Sequence, residues 1–218
     1  MAPARRTSPP PDATVVFLVR HGQTPTTGKT LPGRASGLHL SEAGREQATA
    51  AALRLAELPK VDAIYSSPLE RARETAAPIA GARSLRVSIN RGLLEADFGE
   101  WTGGELKTLA KKPEWQTVQR APSLFRFPGG ESFLEMQTRI VGTIDHLVER
   151  HRGGVIVCVS HADPIKAAVA MALGTHLDLF QRIVISTCSV TAIAYGAGGP
   201  VVLTVNSTGA PLAALRPS

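Results

Sequence analysis

Three apolar runs of the sequence are each followed by side chains that could bind an anion or transfer a group. In chain order these are Arg20 with His21, then Arg71, then His161. Imidazole can act as a nucleophile or carry a proton near neutral pH. Guanidinium presents a planar fork that matches phosphate oxygens. If the three runs are parallel strands of one sheet, their carboxyl ends meet at one edge, and the sequence predicts an anion site there.

Glu95 is a fourth candidate for chemistry. It follows Leu93 and Leu94 and precedes the aromatic residues Phe98 and Trp101. A carboxyl group in apolar surroundings has a raised pKa and can donate a proton. A surface glutamate in a loop fits the same spacing, so the residues alone leave both interpretations open.

The elements that must position these side chains alternate along the chain. Buried strands are predicted over 14–20, 61–66 and 155–160, a strand near a sheet edge over 85–89, and a closing hairpin over 190–205. Helices are predicted to begin after four caps, namely Ser41, Ser67 with Pro68 as the first helical residue, Ser132, and Asp163. Strands alternating with helices predict an α/β fold, a three-layer sandwich with a mostly parallel central sheet covered by helices on both faces.

Length and composition limit the remaining options. The chain has 218 residues, and we expect a disordered tail over 1–13 and a single domain over 14–218. No apolar run is long enough to span a membrane, and no secretory signal is recognisable, so the sequence predicts a cytoplasmic protein. The formal charge of +6 favours anionic partners, but the basic residues are scattered. We therefore expect a small phosphorylated metabolite as partner and no nucleic acid; a homodimer stays open.

Four motifs, in this order, resemble the histidine phosphatase superfamily, in its phosphoglycerate-mutase-like branch. They are Arg20-His21-Gly22 with Thr24, the run from Ser67 to Thr75, Glu95 with Phe98-Gly99-Glu100-Trp101, and Ser160-His161. The resemblance covers about residues 14–206. It implies that His21 accepts a phosphoryl group as phosphohistidine, that Arg20, Arg71 and His161 surround the phosphate, and that Glu95 protonates the leaving oxygen. It implies no cofactor and no metal.

One position departs from the family's pattern. Much of the family has an asparagine that touches the phosphate six residues after the nucleophile, and this chain has Thr27 there. A threonine hydroxyl can still donate one hydrogen bond. Arg34, in the loop over 28–37, is expected to supply a further substrate or phosphate contact.

The resemblance favours a phosphatase that hydrolyses small phosphomonoesters through a phosphohistidine. Two alternatives remain, a phosphoglycerate-type phosphomutase and a non-catalytic protein that binds a phosphorylated ligand. Mutases of the family tend to carry longer insertions around the site. The span between Arg71 and Glu95 is short and has no such insertion, which favours hydrolysis. Residues 104–130 carry several aromatic side chains, and we expect them to form a lid that selects the substrate.

Overall fold

A computed structural model describes residues 12–209 of the chain. These residues form a six-stranded sheet in the order β3-β2-β4-β1-β5-β6. The strands are β1 (Thr14–Arg20), β2 (Ala63–Ser66), β3 (Val87–Ile89), β4 (Val155–Ser160), β5 (Val190–Gly196) and β6 (Gly199–Ser207). The first four are parallel to one another, and β5 and β6 run antiparallel as the predicted hairpin. The predicted mostly parallel sheet is confirmed.

Helices cover both faces of the sheet. They are α1 (Glu42–Ala56), α2 (Glu70–Arg83), α3 (Leu106–Leu109), α4 (Trp115–Arg120), α5 (Phe133–Arg150) and α6 (Ala162–Ala172). Apolar residues of α1 and α2, such as Leu55 and Ile79, pack with Val159 on one face. Residues of α5 and α6, such as Ile140, pack with Leu18 on the other face. Neighbouring residues of β1 and β4 thus face opposite layers, which explains their continuous apolar runs.

Two of the four predicted helix caps are confirmed. The Ser41 hydroxyl accepts a hydrogen bond from the Gly44 amide at the start of α1. Ser132 and Glu135 form a reciprocal capping box at the start of α5.

The other two predicted caps are wrong. Helix α2 begins at Glu70 with Leu69 as its cap residue and no side-chain cap. The Ser67 hydroxyl accepts from the Leu69 amide, before the helix, at 3.5 Å and lies 2.8 Å from Nε2 of His161. Helix α6 begins one residue before Asp163, whose carboxylate pairs with Lys166 at 3.4 Å.

Some sequence-based expectations stay predictions. Residues 1–11 of the expected tail lie outside the described part of the chain, and Ala13 is buried just before β1. None of the helices between residues 12 and 209 combines the length and apolar character that a membrane-spanning helix needs. The single-domain boundaries and the cytoplasmic location also stay predictions.

Candidate active site

The register of the parallel strands brings the predicted site residues to one edge of the sheet. Arg20 at the end of β1 pairs with Ser160 at the end of β4, and Ser66 at the end of β2 pairs with Val159. The residues after these three strand ends therefore leave the sheet side by side. Nε of Arg71 lies 3.3 Å from Nε2 of His21, and the rings of His21 and His161 have centroids 5.1 Å apart. The predicted convergence of imidazole and guanidinium groups is present.

His21 is held as a neutral imidazole with a defined tautomer. Its Nδ1 donates a hydrogen bond to the Gly22 carbonyl at 2.8 Å, because a carbonyl can only accept. Nε2 accepts from the Arg71 Nε–H, so it carries the lone pair. Burial lowers the pKa of His21 well below its ordinary value, and the charges of Arg71 and Arg20 lower it further. At neutral pH, Nε2 is available as a nucleophile.

The backbone that carries His21 is fixed by close packing against α1 and α2. A Cβ atom on Gly22 would lie 2.5 Å from the Gly44 carbonyl oxygen, and one on Gly44 would lie 2.0 Å from the Gln23 carbonyl oxygen. The Gly22 amide donates to the Thr75 hydroxyl of α2 at 3.0 Å. Both glycines therefore serve close approach of the backbone, which holds the turn after β1 in one position.

Two arginines, Arg71 buried and Arg20 partly buried, leave donors without a protein partner beside His21. Arg71 has no solvent exposure, and its Nη2 donates to the Gly33 carbonyl at 2.7 Å. Arg20 donates through Nη1 to the Ile185 carbonyl at 2.7 Å. Nη1 of Arg71 and Nε of Arg20 are buried and have no hydrogen-bond partner. Burial lowers the pKa of both arginines, and unpaired buried cationic donors of this kind fit a bound anion.

His161 adds a further donor at Nδ1 when the Ser67 hydroxyl donates to its Nε2. Nε2 of His161 lies 2.8 Å from the Ser67 hydroxyl, whereas its buried Nδ1 has no partner. Burial, followed by the charge of Arg71, lowers the pKa of His161 well below its ordinary value. Sequence reasoning missed Ser67 in this role by assigning it to a helix cap. Its place directly after β2, like that of His161 after β4, is the signal that could have found it.

Glu95 is buried beside the same cavity, so its interpretation as a surface glutamate is wrong. Only 8% of the surface of Glu95 is exposed to solvent. Burial, followed by the charge of Asp163, raises the pKa of Glu95 to about 7, although the Ala96 amide, Arg71 and Arg20 oppose this. A carboxyl group with this pKa can both donate and accept a proton near neutral pH. Asp163, expected only as a helix cap, is therefore a second residue whose contribution the sequence did not reveal.

A cavity of about 430 Å³ lies beside these groups, and Arg71 and His161 contact His21 without being part of its lining. Arg20, His21, Thr27 and Glu95 line it on the side of the sheet edge. The segment 104–130 contributes the apolar side chains of Leu106, Trp115, Val118 and Phe127 and the polar side chain of Gln119. Among the described residues, no group of three or more His, Cys, Asp or Glu side chains could hold a metal ion.

The two residues suggested as additional phosphate contacts differ in position. Thr27 lines the cavity, and its hydroxyl accepts from the Thr24 amide at 2.9 Å. Arg34 is not among the cavity-lining residues. Its guanidinium donates to the Glu95 carbonyl and pairs with Asp97 and Glu131. This arrangement does not support the expected phosphate contact from Arg34.

Comparison with protein families decides the relationship. The model of the histidine phosphatase superfamily (branch 1) matches residues 16–208. The chain belongs to this superfamily. Its motifs, its fold and the convergence of His21, Arg71 and His161 agree with that membership. The resemblance given by the four sequence motifs is confirmed.

Curated relatives of this superfamily member include both longer and similar-sized proteins. A bifunctional protein of Mycobacterium tuberculosis is 33% identical over 198 residues, covering 90% of this chain and 54% of that protein. The chain thus spans about half the length of the first such relatives. Phosphoserine phosphatase 1 of Hydrogenobacter thermophilus is 33% identical over 198 residues, covering 88% of this chain and 92% of that protein.

Solved structures of the superfamily share the fold. A mycobacterial glucosyl-3-phosphoglycerate phosphatase superposes with a TM-score of 0.81 at 26% identity, covering 89% of this chain and 99% of the other. A mutant phosphoserine phosphatase of Entamoeba histolytica in complex with phosphoserine superposes with a TM-score of 0.79 at 27% identity, covering 89% of this chain and 98% of the other. Relatives and structural neighbours therefore include phosphatases.

Proposed function

We propose that this protein is a phosphatase that hydrolyses small phosphomonoesters through a phosphohistidine on His21. One observation carries the proposal. The Nε2 lone pair of a neutral histidine lies beside buried guanidinium donors of Arg20 and Arg71 that have no protein partner. A pure binding site would need the cations but would not need a nucleophile of fixed tautomer or the nearby acid Glu95.

In the first step, the Nε2 lone pair of His21 forms a bond to phosphorus while the bond from phosphorus to the ester oxygen breaks. The proton of Glu95 passes to that oxygen, and the alcohol leaves. Arg20, Arg71 and His161 donate hydrogen bonds to the other phosphoryl oxygens. Because these donors are already buried and fixed, they stabilise the transferring group with little reorganisation.

In the second step, the Glu95 carboxylate takes a proton from water, and the water oxygen attacks phosphorus. The bond from phosphorus to Nε2 breaks, its electron pair returns to the imidazole, and inorganic phosphate leaves. Glu95 is then protonated again and ready for the next cycle. A pKa of about 7 suits both directions of proton transfer. Neither step calls on a metal ion, and metal independence is part of the proposal.

The substrate class follows from the cavity and from the relatives. A cavity of about 430 Å³ admits a small phosphorylated metabolite. The named relatives act on phosphoserine and glucosyl-3-phosphoglycerate, and these two esters are the first to test. We further propose that the segment 104–130 covers the cavity and selects the substrate, since it supplies Leu106, Trp115 and Val118 to the lining. Exchange of this segment for that of a relative should change substrate preference, and an unchanged preference would reject its role.

A phosphoglycerate-type mutase is the second candidate, because a probable phosphoglycerate mutase of Salmonella choleraesuis is 29% identical over 182 residues. The residues between Arg71 and Glu95 form only the rest of α2, strand β3 and one short 3₁₀ turn. Nothing in this span extends over the cavity to shield a phosphoenzyme from water. Release of phosphate from 3-phosphoglycerate without a bisphosphoglycerate primer would favour hydrolysis over mutase activity.

The test combines phosphate release with trapping of the intermediate. The wild-type protein should release phosphate from small esters. After it is quenched during turnover of a ³²P-labelled ester, it should carry a covalently bound label that is labile in acid and stable in alkali, as a phosphohistidine is. His21→Ala should lose both, yet still bind vanadate, whereas His146→Ala, at an exposed histidine of α5, should keep both. Undiminished hydrolysis by His21→Ala would overturn the mechanism. Tight anion binding without turnover by the wild-type protein would favour the non-catalytic alternative.

A further inference from the structure

Two arginine side chains from distant parts of the chain meet at the backbone of the acid residue. Nε of Arg34 donates to the Glu95 carbonyl oxygen at 2.9 Å, and Nη2 of Arg139 donates to the same oxygen at 3.3 Å. Arg34 lies in the loop between β1 and α1, and Arg139 lies on α5. Neither lines the cavity, and neither has a buried side-chain nitrogen without a partner, in contrast to Arg71 and His161.

Arg139 also binds backbone carbonyl groups of two residues that precede Glu95. Its Nη1 donates to the Gly92 carbonyl at 2.8 Å and to the Leu94 carbonyl at 2.9 Å. Together with the bond to Glu95, one guanidinium therefore fixes three carbonyl groups within four consecutive residues. A guanidinium can do this because its donors are rigidly arranged in a plane, which an ammonium group cannot imitate.

Glu131 joins the two arginines. Its Oε1 accepts from Nε of Arg139 at 2.9 Å, and its Oε2 accepts from Nη2 of Arg139 at 2.9 Å and from Nη2 of Arg34 at 3.0 Å. Its side chain is only 13% exposed. Burial alone would raise the pKa of Glu131, but the hydrogen bonds and charges of Arg139 and Arg34 outweigh burial and lower it. The carboxylate is thus the shared counter-ion of both guanidinium groups.

The turn that carries Glu131 is itself packed tightly against the turn after Glu95. A Cβ atom on Gly99 would lie 2.1 Å from the Pro128 carbonyl oxygen, and one on Gly130 would lie 2.3 Å from the Asp97 carbonyl oxygen. The Glu131 amide also donates to the Asp97 carbonyl at 2.9 Å. Glu131, which joins the two arginines, therefore stands on a backbone that has little freedom to move relative to the turn after Glu95.

We propose that Arg34, Glu131 and Arg139, which we call the Glu95 clamp, are positioning residues that hold the Glu95 carboxyl group in place for proton transfer. This inference rests on the proposed function of Glu95 as the proton donor to the leaving group. The clamp acts on the backbone of residues 92–95, and the Glu95 side chain follows. Proton transfer requires hydrogen-bond distance, so a shift of about 1 Å is enough to slow it strongly.

Comparing two esters separates this role from general stabilisation. The parameter kcat/KM reports loss of the leaving alcohol, which needs a proton when the alcohol is alkyl and hardly needs one when it is p-nitrophenol. In Arg34→Gln, Glu131→Gln and Arg139→Lys, we expect kcat/KM to fall about 10- to 100-fold with an alkyl phosphate such as phosphoserine or glycerol phosphate. With p-nitrophenyl phosphate, we expect a fall of less than about 3-fold.

Arg54→Gln is the matched control. Arg54 also binds a distant backbone carbonyl, that of Ser207 at 2.9 Å, but it lies on α1 away from the cavity lining. It should leave kcat/KM unchanged for both esters. Arg34 has a side chain that is 30% exposed, so Arg34→Gln is the variant expected to fold most readily. Equal losses on the two esters, or no loss in a folded clamp variant, would overturn the proposal.

A second readout does not depend on turnover. Titration of the ¹³C-labelled Glu95 carboxyl, assigned by comparison with Glu95→Gln, should give a pKa of about 7 in the wild-type protein. In the clamp variants it should fall towards the ordinary range as the side chain gains solvent, while Asp163, Arg20 and Arg71 still face it. An unchanged titration would reject the clamp. If the wild-type protein hydrolyses neither ester, the proposed function fails, yet this titration still decides whether the clamp holds Glu95.

Discussion

Replacing Glu95 by glutamine should stabilise the fold at neutral and alkaline pH while it removes the proposed proton donor. The wild-type carboxyl group is buried, and its pKa in the folded protein is about 7 against an ordinary value of 4.5. Glutamine has nearly the same size and can keep an acceptor towards the Ala96 amide, but it never ionises. The variant therefore removes the free energy needed to keep a buried carboxylate charged.

The size of this effect follows from the two pKa values. The difference between about 7 and 4.5 is about 2.5, and each unit corresponds to 1.36 kcal/mol, which gives about 3 kcal/mol. Because the folded-state pKa is raised, the folded protein binds the proton more tightly than the unfolded chain does. Wild-type stability is therefore fully retained below the ordinary value and is lost as pH rises towards the folded value. The advantage of Glu95→Gln should grow between about pH 4.5 and 7 and then stay constant.

Urea unfolding of both proteins at several pH values between 5 and 8.5 would measure this difference. The matched control is Glu135→Gln, because a hydrogen bond from Arg126 lowers the pKa of Glu135 to about 2. Both the folded and the ordinary pKa of Glu135 lie below the range tested. The difference in the free energy of unfolding between Glu135→Gln and the wild-type protein should therefore change little with pH. A difference between Glu95→Gln and wild type that is independent of pH would refute the assignment of a buried, raised-pKa acid. The same variant should lose about 100- to 10,000-fold in kcat towards alkyl phosphates.

Three further substitutions test other parts of the site. Asp163→Asn should move the alkaline limb of the pH profile of kcat/KM to lower pH, because the charge of Asp163 raises the pKa of Glu95. Ser67→Ala should lower kcat about 10-fold, corresponding to about 1.4 kcal/mol, because it removes the partner of His161 Nε2 at 2.8 Å. Gly22→Ala should lower the free energy of unfolding by about 1–3 kcal/mol and abolish most activity, since its Cβ would meet a carbonyl of α1 at 2.5 Å.

Each of these expectations has a contrary result. An alkaline limb that does not move in Asp163→Asn would mean that this carboxylate does not act on the proton donor. Full kcat in Ser67→Ala would show that the orientation of His161 does not depend on the hydroxyl. A Gly22→Ala protein with unchanged thermal unfolding and activity would show that the turn after β1 can move away from α1.

Most of the fold could be predicted from the sequence because its signals are local. Continuous apolar runs such as 14–20 and 155–160 are typical of buried parallel strands, and both are strands at those bounds. The helix over 133–150 was fixed by its capping box and its apolar spacing. The start of α2 could not be predicted, since the Ser67 hydroxyl caps no residue of the helix and contacts a histidine 94 residues away.

In the candidate site, too, local signals predicted some residues, whereas others depend on contacts between distant parts of the chain. Strand ends and motif order were enough to bring His21, Arg71 and His161 together, because parallel strands share one edge. The role of Asp163 and the bonds of Arg34 were hidden because they depend on which distant groups become buried together. Arg34 in particular was expected at the phosphate, yet its hydrogen-bond partners lie 61, 63 and 97 residues further along the chain.

His21 and Glu95 are buried at the same site, but their proposed roles require pKa shifts in opposite directions. Exclusion of water lowers the pKa of His21, which keeps the proposed nucleophile neutral, and raises the pKa of Glu95, which keeps the proposed acid protonated. The charges of Arg20 and Arg71 lower the pKa of both, so they help the nucleophile but oppose the acid.

The charge of Asp163 resolves this conflict because it raises the pKa of Glu95. The pKa of His21 is lowered by burial and by the charges of the two arginines, and Asp163 is not among its causes. The two pKa values can therefore be set separately within one cavity. It follows that Asp163→Asn should shift only the limb of the pH profile that belongs to the acid. A variant in which both limbs moved together would show instead that the arginines, and not this carboxylate, set the balance between nucleophile and acid.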